Sequence, residues 1–183
     1  MAWIGRTMAL ASIAGLGAVP FDVYAAPVAT GQHEERIGRC ITSAAGGSRW
    51  LERTLWGLRD QEGGQIGTVS KNRDGSEDLG PMQINSWWLT PIARALRRNR
   101  QQVRDWLIYD PCFNVQAARW IFVSGLHARK GYWRAVGLYH SPLLRRQELY
   151  SMLVFEKLTK RYGSQVFVSE APSRQNGEDI VRI

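Results

Sequence analysis

The sequence predicts a mainly helical single domain, and three observations support that prediction. The chain has 183 residues, which is enough for one domain with a sizeable core but short for two. Apolar residues recur at helical spacing along most of the chain, as at Leu51, Leu55 and Leu58. Segments without that periodicity are few, and the strand candidates lie between Ile66 and Asp78.

Capping residues and helix breakers set the expected helix boundaries. A first helix is expected from about Glu34 to Ala45, and Ser48 is a suitable N-cap for a second. Asp110-Pro111 predicts the start of a helix that reaches about His127, because proline is favoured at the first helical position. The remaining predicted helices are Pro91–Arg98, Gln101–Ile108, Tyr132–Tyr139 and Leu143–Tyr162, the last with Leu149, Met152, Leu153, Phe155 and Leu158 facing inward.

Residues 1–26 have the pattern of a cleavable export signal. Arg6 supplies a positive charge, Met8–Val19 is a short apolar run, and small residues follow at Ala25-Ala26. The run is shorter than the roughly 20 apolar residues that span a membrane. We therefore expect a periplasmic protein with no stable membrane span after processing, and an uncleaved anchor is the alternative.

The charge balance favours a polyanionic partner. The formal net charge is +8 and the sequence pI is about 10.0, which suits nucleic acid, anionic lipid or a cell-wall polymer. The export signal argues against nucleic acid, so none is expected as a partner. The arginines between Arg94 and Arg104 are typical of a solvated helix face. Residues 164–183 are polar and are expected to form a flexible tail.

The cysteines and histidines favour a disulfide over a metal site. Cys40 and Cys112 are the only cysteines, and an even count in an exported chain favours one disulfide, with two free thiols as the alternative. The three histidines show no ligand-type spacing with the cysteines, so no metal is expected. Asp74-Gly75 is a turn signal, because the ligand spacing of a calcium loop is absent.

Glu62 is the candidate for acid–base chemistry. It lies at or just past the end of the predicted second helix, before Gly63-Gly64. The negative end of the helix dipole disfavours an ionised carboxylate and raises its pKa, and a glycosidase acid needs a pKa of roughly 6. Gln83 and Asn85 offer amide groups that suit sugar hydroxyls, and some of the eight tryptophans could stack on sugar rings, although core packing explains most of them.

Several motifs together resemble the soluble lytic transglycosylase family, over about Arg36 to Tyr162. They are Glu62-Gly63-Gly64, the run Asn72–Ser86 with Gly80-Pro81-Met82-Gln83-Ile84-Asn85, the segment Asp110–Asn114 and the pair Leu138-Tyr139. The most similar branch is the small exported enzymes that accompany conjugative transfer and other secretion systems. The resemblance implies a lysozyme-like fold over residues 34–163, mainly α with minor β, and a substrate groove.

The resemblance also implies site residues. The family's catalytic acid/base falls on Glu62, its helix-tethering disulfide falls on Cys40 and Cys112, and no cofactor is required. The implied substrate-binding residues are Gly80, Met82, Gln83, Ile84, Asn85, Tyr139 and His140. The chain departs from the family pattern in two places: the serine after the catalytic Glu is Gly63, and Ala-Tyr-Asn-Ala-Gly becomes Leu138-Tyr139-His140-Ser141-Pro142.

The implied activity is non-hydrolytic cleavage of peptidoglycan glycan strands. Glu62 would protonate the glycosidic oxygen between N-acetylmuramic acid and N-acetylglucosamine and then act as base on the muramoyl 6-hydroxyl, leaving a 1,6-anhydro product. The implied role is to open the wall locally for a conjugation or secretion apparatus, whose components are expected partners. The alternatives are a hydrolytic muramidase of the same fold and a catalytically weakened wall-binding assembly protein.

Overall fold

The computed structural model describes residues 25–129 and 131–167 and confirms the predicted class, a mainly helical lysozyme-like domain with a small sheet. Three short strands form an antiparallel sheet in the order β1-β2-β3, in which Asp78 pairs with Asn85. The elements are α1 Ala25–Ala45, α2 Arg49–Glu62, β1 Val69–Lys71, β2 Glu77–Leu79, β3 Ile84–Asn85, α3 Leu89–Leu96, α4 Arg100–Tyr109, α5 Pro111–Arg129, α6 Tyr132–His140 and α7 Leu144–Tyr162.

The start of the first helix differs from its predicted position, and most of the two predicted terminal segments falls outside the described residues. Helix α1 begins at Ala25 rather than near Glu34. Within this helix Glu34 forms an ion pair with the buried Arg59 of α2 at 2.7 Å. Residues 1–24 of the predicted export signal and residues 168–183 of the predicted tail lie outside the described residues, whereas Ala25 and Ala26 belong to α1 and Ser164–Phe167 form a short 3-10 helix. Within residues 25–129 and 131–167, no helix combines the length and the hydropathy needed to cross a bilayer.

Helix α5 runs through the middle of the core and packs against α1, α4 and α6. Asp110 caps its start, because the Cys112 and Phe113 N–H groups donate to Asp110 Oδ1 at 2.9 and 3.1 Å. The predicted disulfide between Cys40 and Cys112 is confirmed and joins α1 to α5 across 72 residues of sequence. In the chain-entropy model a loop of that length stabilises the fold by about 4 kcal/mol.

The inward face predicted for α7 is wrong except at Leu158. Its buried residues are Tyr150, Val154 and Leu158, while the other predicted inward side chains, Leu149, Met152, Leu153 and Phe155, are 43% to 62% exposed. Glycines on the neighbouring helices explain which face of α7 is buried. A Cβ at Gly57 of α2 would lie 2.8 Å from Leu158 Cγ, and a Cβ at Gly137 of α6 would lie 2.7 Å from a backbone oxygen of α7. The close approach at these glycines turns Tyr150 toward the end of α2.

Asn114 anchors the sheet side of the molecule to α5. Its buried Nδ2 donates to the Leu79 and Leu107 carbonyls, both at 2.8 Å, and its Oδ1 accepts from the Met82 N–H at 2.8 Å. Gly80 has φ 66°, and a Cβ there would lie 2.1 Å from the Leu107 oxygen. Asn114 and Gly80 therefore fix the turn that leads into Gln83.

Asn114→Ala is expected to lower the free energy of unfolding by about 3 kcal/mol or more, because three buried backbone groups lose their partner. Urea unfolding followed by circular dichroism measures the loss. Gln116→Ala, an exposed position on the same helix, is the control and should stay within about 0.5 kcal/mol of wild type. Equal effects of the two substitutions would contradict the anchoring role.

Candidate active site

A cavity of about 810 Å³ opens between the sheet and the helices α5, α6 and α7. Glu62 lies in it at the end of α2, the β-hairpin and its following turn form one wall, and α6 with the start of α7 forms the other. This volume is in the usual range for a ligand site. Among the residues that the structure describes, no group of three or more His, Cys, Asp or Glu side chains is placed to hold a metal ion.

The structure brings most of the predicted site residues into this cavity and leaves two out. Those in the cavity lining are Glu62, Gln83, Ile84, Asn85, Tyr139 and His140. Met82 is 0% exposed and packs in the core, and Gly80 is buried beneath the turn. Met82 therefore supports the turn from below, and its side chain is not presented to a ligand.

Two glycines give Glu62 its position. Gly63 ends α2 in the left-handed conformation with φ 61°, and its N–H bonds to the Arg59 carbonyl at 3.0 Å. A Cβ at Gly64 would lie 2.3 Å from the Gly80 oxygen and 2.6 Å from Gln83 Nε2. The absence of a side chain at Gly64 lets the Gly80–Gln83 turn pack directly beside Glu62.

Gln83 is held in an unusual backbone conformation at the cavity wall. Its φ is 46°, a region that residues other than glycine rarely adopt. Its backbone N–H and its Nε2 both donate to the Gly80 carbonyl, at 3.1 and 2.8 Å. Strained residues of this kind cluster at functional sites, and Gln83 is part of the cavity lining.

Burial raises the pKa of Glu62 from 4.5 to about 7. A hydrogen bond donated by the Tyr150 hydroxyl to Glu62 Oε1 opposes that rise, and the negative charge of Asp78 adds to it. The predicted direction of the shift is confirmed, but its main cause is removal from water rather than the helix end. At neutral pH a large fraction of Glu62 carries a proton.

Tyr150 is the residue that sequence reasoning missed. Its hydroxyl bonds to Glu62, whereas the predicted groove residue Tyr139 donates instead to the Met82 carbonyl at 2.8 Å. The ring of His140 stacks on Tyr150 with a centroid distance of 4.7 Å and an interplanar angle of 1°. Burial raises the pKa of both tyrosines well above 10.0, so both hydroxyls remain donors. Burial lowers the pKa of His140, which favours the neutral ring.

Asp78 is a second carboxylate in the cavity, on β2. Asn72 Nδ2 donates to Asp78 Oδ2 at 2.9 Å and Asn85 Nδ2 donates to Oδ1 at 2.8 Å. Both amides also donate to Ser76 Oγ, at 3.1 and 3.0 Å. Amides of the hairpin and of β3 therefore hold both oxygens of Asp78. The amide of Asn85 is largely used within this network rather than offered to a ligand.

Comparison with known proteins finds distant relatives. No protein-family model matches the chain. The chain is 36% identical over 115 residues to invasion protein IagB from Salmonella typhimurium strains SL1344 and LT2, and 33% identical over 114 residues to invasion protein IagB from Salmonella typhi. The matched segment covers 62% of this chain and 63% of each relative, so the chain spans less than two thirds of their length.

Tyr150→Phe and Asp78→Asn are expected to move the pKa of Glu62 in opposite directions. Loss of the hydroxyl removes a hydrogen bond that favours the ionised form, so the pKa rises above about 7. Loss of the Asp78 charge removes a repulsion, so the pKa falls. A carbon-13 NMR titration of the Glu62 carboxyl measures both shifts, and shifts of the same sign would contradict this electrostatic description.

Glu62→Gln is expected to stabilise the folded protein at about pH 8 by up to about 3 kcal/mol. The pKa is 4.5 for an ordinary Glu and about 7 in the fold, so stability is lost as the pH rises from the lower value through the higher one. At about pH 4 both states are protonated, and the variant should match wild type. Denaturant unfolding at the two pH values tests this, and an equal effect at both would refute it.

Proposed function

We propose that the chain is an exported lytic transglycosylase that cleaves peptidoglycan glycan strands. The observation that carries the proposal is the Glu62 carboxyl, which has a pKa of about 7 and lies in a cavity of about 810 Å³. A carboxylic acid that keeps its proton near neutral pH is the group that protonates a glycosidic oxygen. Gln83, Ile84, Asn85 and Tyr139, which belong to motifs that resemble the lytic transglycosylase family, line the same cavity as Glu62.

The walls of the cavity suit a sugar chain. Trp87 lies on its rim with 62% of its surface exposed, and Trp88 beside it is held edge-on against Trp120 at 5.6 Å between ring centroids. An exposed indole next to a cleft offers a flat apolar face for a sugar ring. The Gln83 side chain supplies an amide on the same wall.

In the proposed reaction Glu62 gives its proton to the glycosidic oxygen between N-acetylmuramic acid and N-acetylglucosamine. The carbon–oxygen bond breaks, its electron pair leaves with that oxygen, and the acetamido oxygen of the muramoyl residue bonds to the anomeric carbon. The Glu62 carboxylate then takes the proton of the 6-hydroxyl, whose oxygen displaces the acetamido group and closes the 1,6-anhydro ring. The Tyr150 hydroxyl orients Glu62 and stabilises its ionised form between the two steps.

Hydrolysis is the second candidate, and Asp78 is the observation that favours it. Two carboxyl groups in one cleft, with one protonated and one ionised, are the arrangement used by hydrolytic glycosidases. The Glu62 carboxyl has a pKa of about 7 and so carries a proton in a large fraction of molecules at neutral pH, while Asp78 accepts hydrogen bonds from Asn72 and Asn85 on its two oxygens. In this route Asp78 stabilises the cationic anomeric carbon, and water attacks in place of the 6-hydroxyl.

The proposed cellular role is local opening of the wall for a transfer or secretion apparatus, in the periplasm. The similar proteins are named for invasion, and opening the wall for a secretion apparatus is a role that fits that name. The net charge of +8 would help to hold the enzyme on an anionic wall. Residues 34–163 are the proposed catalytic domain.

Mass spectrometry of the products released from purified peptidoglycan tests the proposal. Wild type is expected to release 1,6-anhydro fragments, and Glu62→Gln is expected to lower the rate of release by about 10²–10⁴-fold, because the proton donor is lost. Glu148→Gln, an exposed carboxyl on α7 outside the cavity, should release fragments at the wild-type rate.

Reducing-end products that depend on Asp78 would favour the hydrolytic route instead. Full activity of Glu62→Gln, or no cleavage by a folded wild-type protein, would refute both catalytic proposals.

A further inference from the structure

We propose that one end of the cleft is a carboxylate-binding subsite formed by Arg73 and Arg146, which selects glycan strands that carry anionic substituents. We call this pair the arginine rim. The inference rests on the proposed function, because it assigns a specificity to the same cleft.

The arginine rim has one residue on each wall of the cleft. Arg73 lies at the tip of the hairpin between β1 and β2, in a turn closed by the Gly75 N–H donating to the Asn72 carbonyl at 3.1 Å. Arg146 lies in the first turn of α7. Both side chains are exposed and both belong to the lining of the cavity that contains Glu62. Two distant parts of the chain therefore place a guanidinium on the same opening.

Neither rim arginine forms a salt bridge with any residue in the described part of the chain. Other arginines of the molecule are paired at 2.6 to 2.9 Å, including Arg59, Arg104 and Arg161. The donors of the arginine rim are thus available to a ligand. An arginine fork suits a carboxylate, which it can bind through two parallel hydrogen bonds.

The other charges of the cleft restrict where a carboxylate can bind. Two hydrogen bonds from Ser76 lower the pKa of Asp74, which lies at the hairpin tip. The positive charge of Arg146 lowers the Asp74 pKa further, by a smaller amount. Asp74 Oδ1 already accepts from the Ser76 N–H and Oγ, at 3.0 and 2.7 Å. The two positive charges of Arg73 and Arg146 outnumber the one negative charge of Asp74, so this part of the cavity lining stays positive. Deeper in the cleft, Asp78 and any ionised Glu62 repel anions.

Positive charge at the rim and negative charge deeper in the cleft would fix the position of a bound strand along the cleft. Neutral sugar rings would lie along the acidic centre, and an anionic substituent would reach the arginine rim. Peptidoglycan offers such carboxylates in two places: on the lactyl group when the peptide is absent, and on the peptide stem when it is present. The shared chemistry is a carboxylate attached to the glycan, and the two sources can be separated by the choice of ligand.

The test compares Arg146→Gln and Arg73→Gln with Arg145→Gln, all in a Glu62→Gln background so that ligands stay intact. Arg145 is the neighbouring exposed arginine on α7 and is not part of the cavity lining. Tryptophan fluorescence reports binding of three ligands: an N-acetylglucosamine oligomer without carboxylates, peptide-free glycan strands and peptide-bearing strands. Circular dichroism checks that each variant is folded.

Each rim variant is expected to raise the Kd for carboxylate-bearing strands about 10-fold. The Kd for the uncharged oligomer should stay within about twofold of its value without the arginine substitution. Added salt should weaken the difference, because the rim is exposed. Arg145→Gln should change neither Kd. A loss seen with peptide-free strands assigns the carboxylate to the lactyl group, and a loss confined to peptide-bearing strands assigns it to the stem.

Unchanged affinity for both carboxylate-bearing ligands in both rim variants would overturn the subsite, and so would an equal loss for the uncharged oligomer. Failure of the subsite is distinguishable from failure of the proposed function. If wild type cleaves strands and the rim variants bind normally, the activity stands and the subsite falls. If wild type cleaves nothing but the rim variants lose carboxylate-dependent binding, the subsite stands and the activity falls.

Discussion

The removal of the Glu62 carboxyl from water is the constraint on which the rest of the structure depends. Burial disfavours its ionised form and raises its pKa to about 7. The ionised form is nevertheless needed in the second half of an acid–base cycle, and the hydrogen bond from Tyr150 stabilises it. These opposed effects leave the carboxyl able to give and to take a proton near neutral pH, which is the condition for general acid–base catalysis.

Two separate sets of contacts hold the two walls of the cleft around that carboxyl. On the helical side, Gly57 and Gly137 let α7 approach α2 and α6, and Arg161 of α7 binds Asp60 of α2 through two hydrogen bonds of 2.6 Å. On the sheet side, Asn114 of α5 holds the turn that precedes Gln83. The helical contacts bring Tyr150 to Glu62, and the sheet contacts bring Asp78 and Gln83 to face it.

Capping and helix-breaking residues in the sequence predicted the helices and the position of Glu62 at a helix end. The features that the sequence did not predict depend on packing between distant parts of the chain. Caps and breakers such as Asp110-Pro111 and Gly63 act within a few residues, so their effect can be read directly. Helix α7 has apolar residues on more than one face, and glycines on other helices select the buried face. The bond between Tyr150 and Glu62 spans 88 residues. Whether Met82 or Gln83 faces the cavity depends on backbone angles fixed by Asn114 and Gly80.

The proton on Glu62 is the central claim, and infrared difference spectroscopy between wild type and Glu62→Gln tests it most directly. A protonated carboxyl has a C=O stretch well separated from the bands of a carboxylate. The structure predicts that wild type at about pH 6 shows the protonated band and that it disappears with a midpoint near pH 7, the folded pKa. A carboxylate band alone at about pH 6, with a midpoint near the ordinary value of 4.5, would contradict the account.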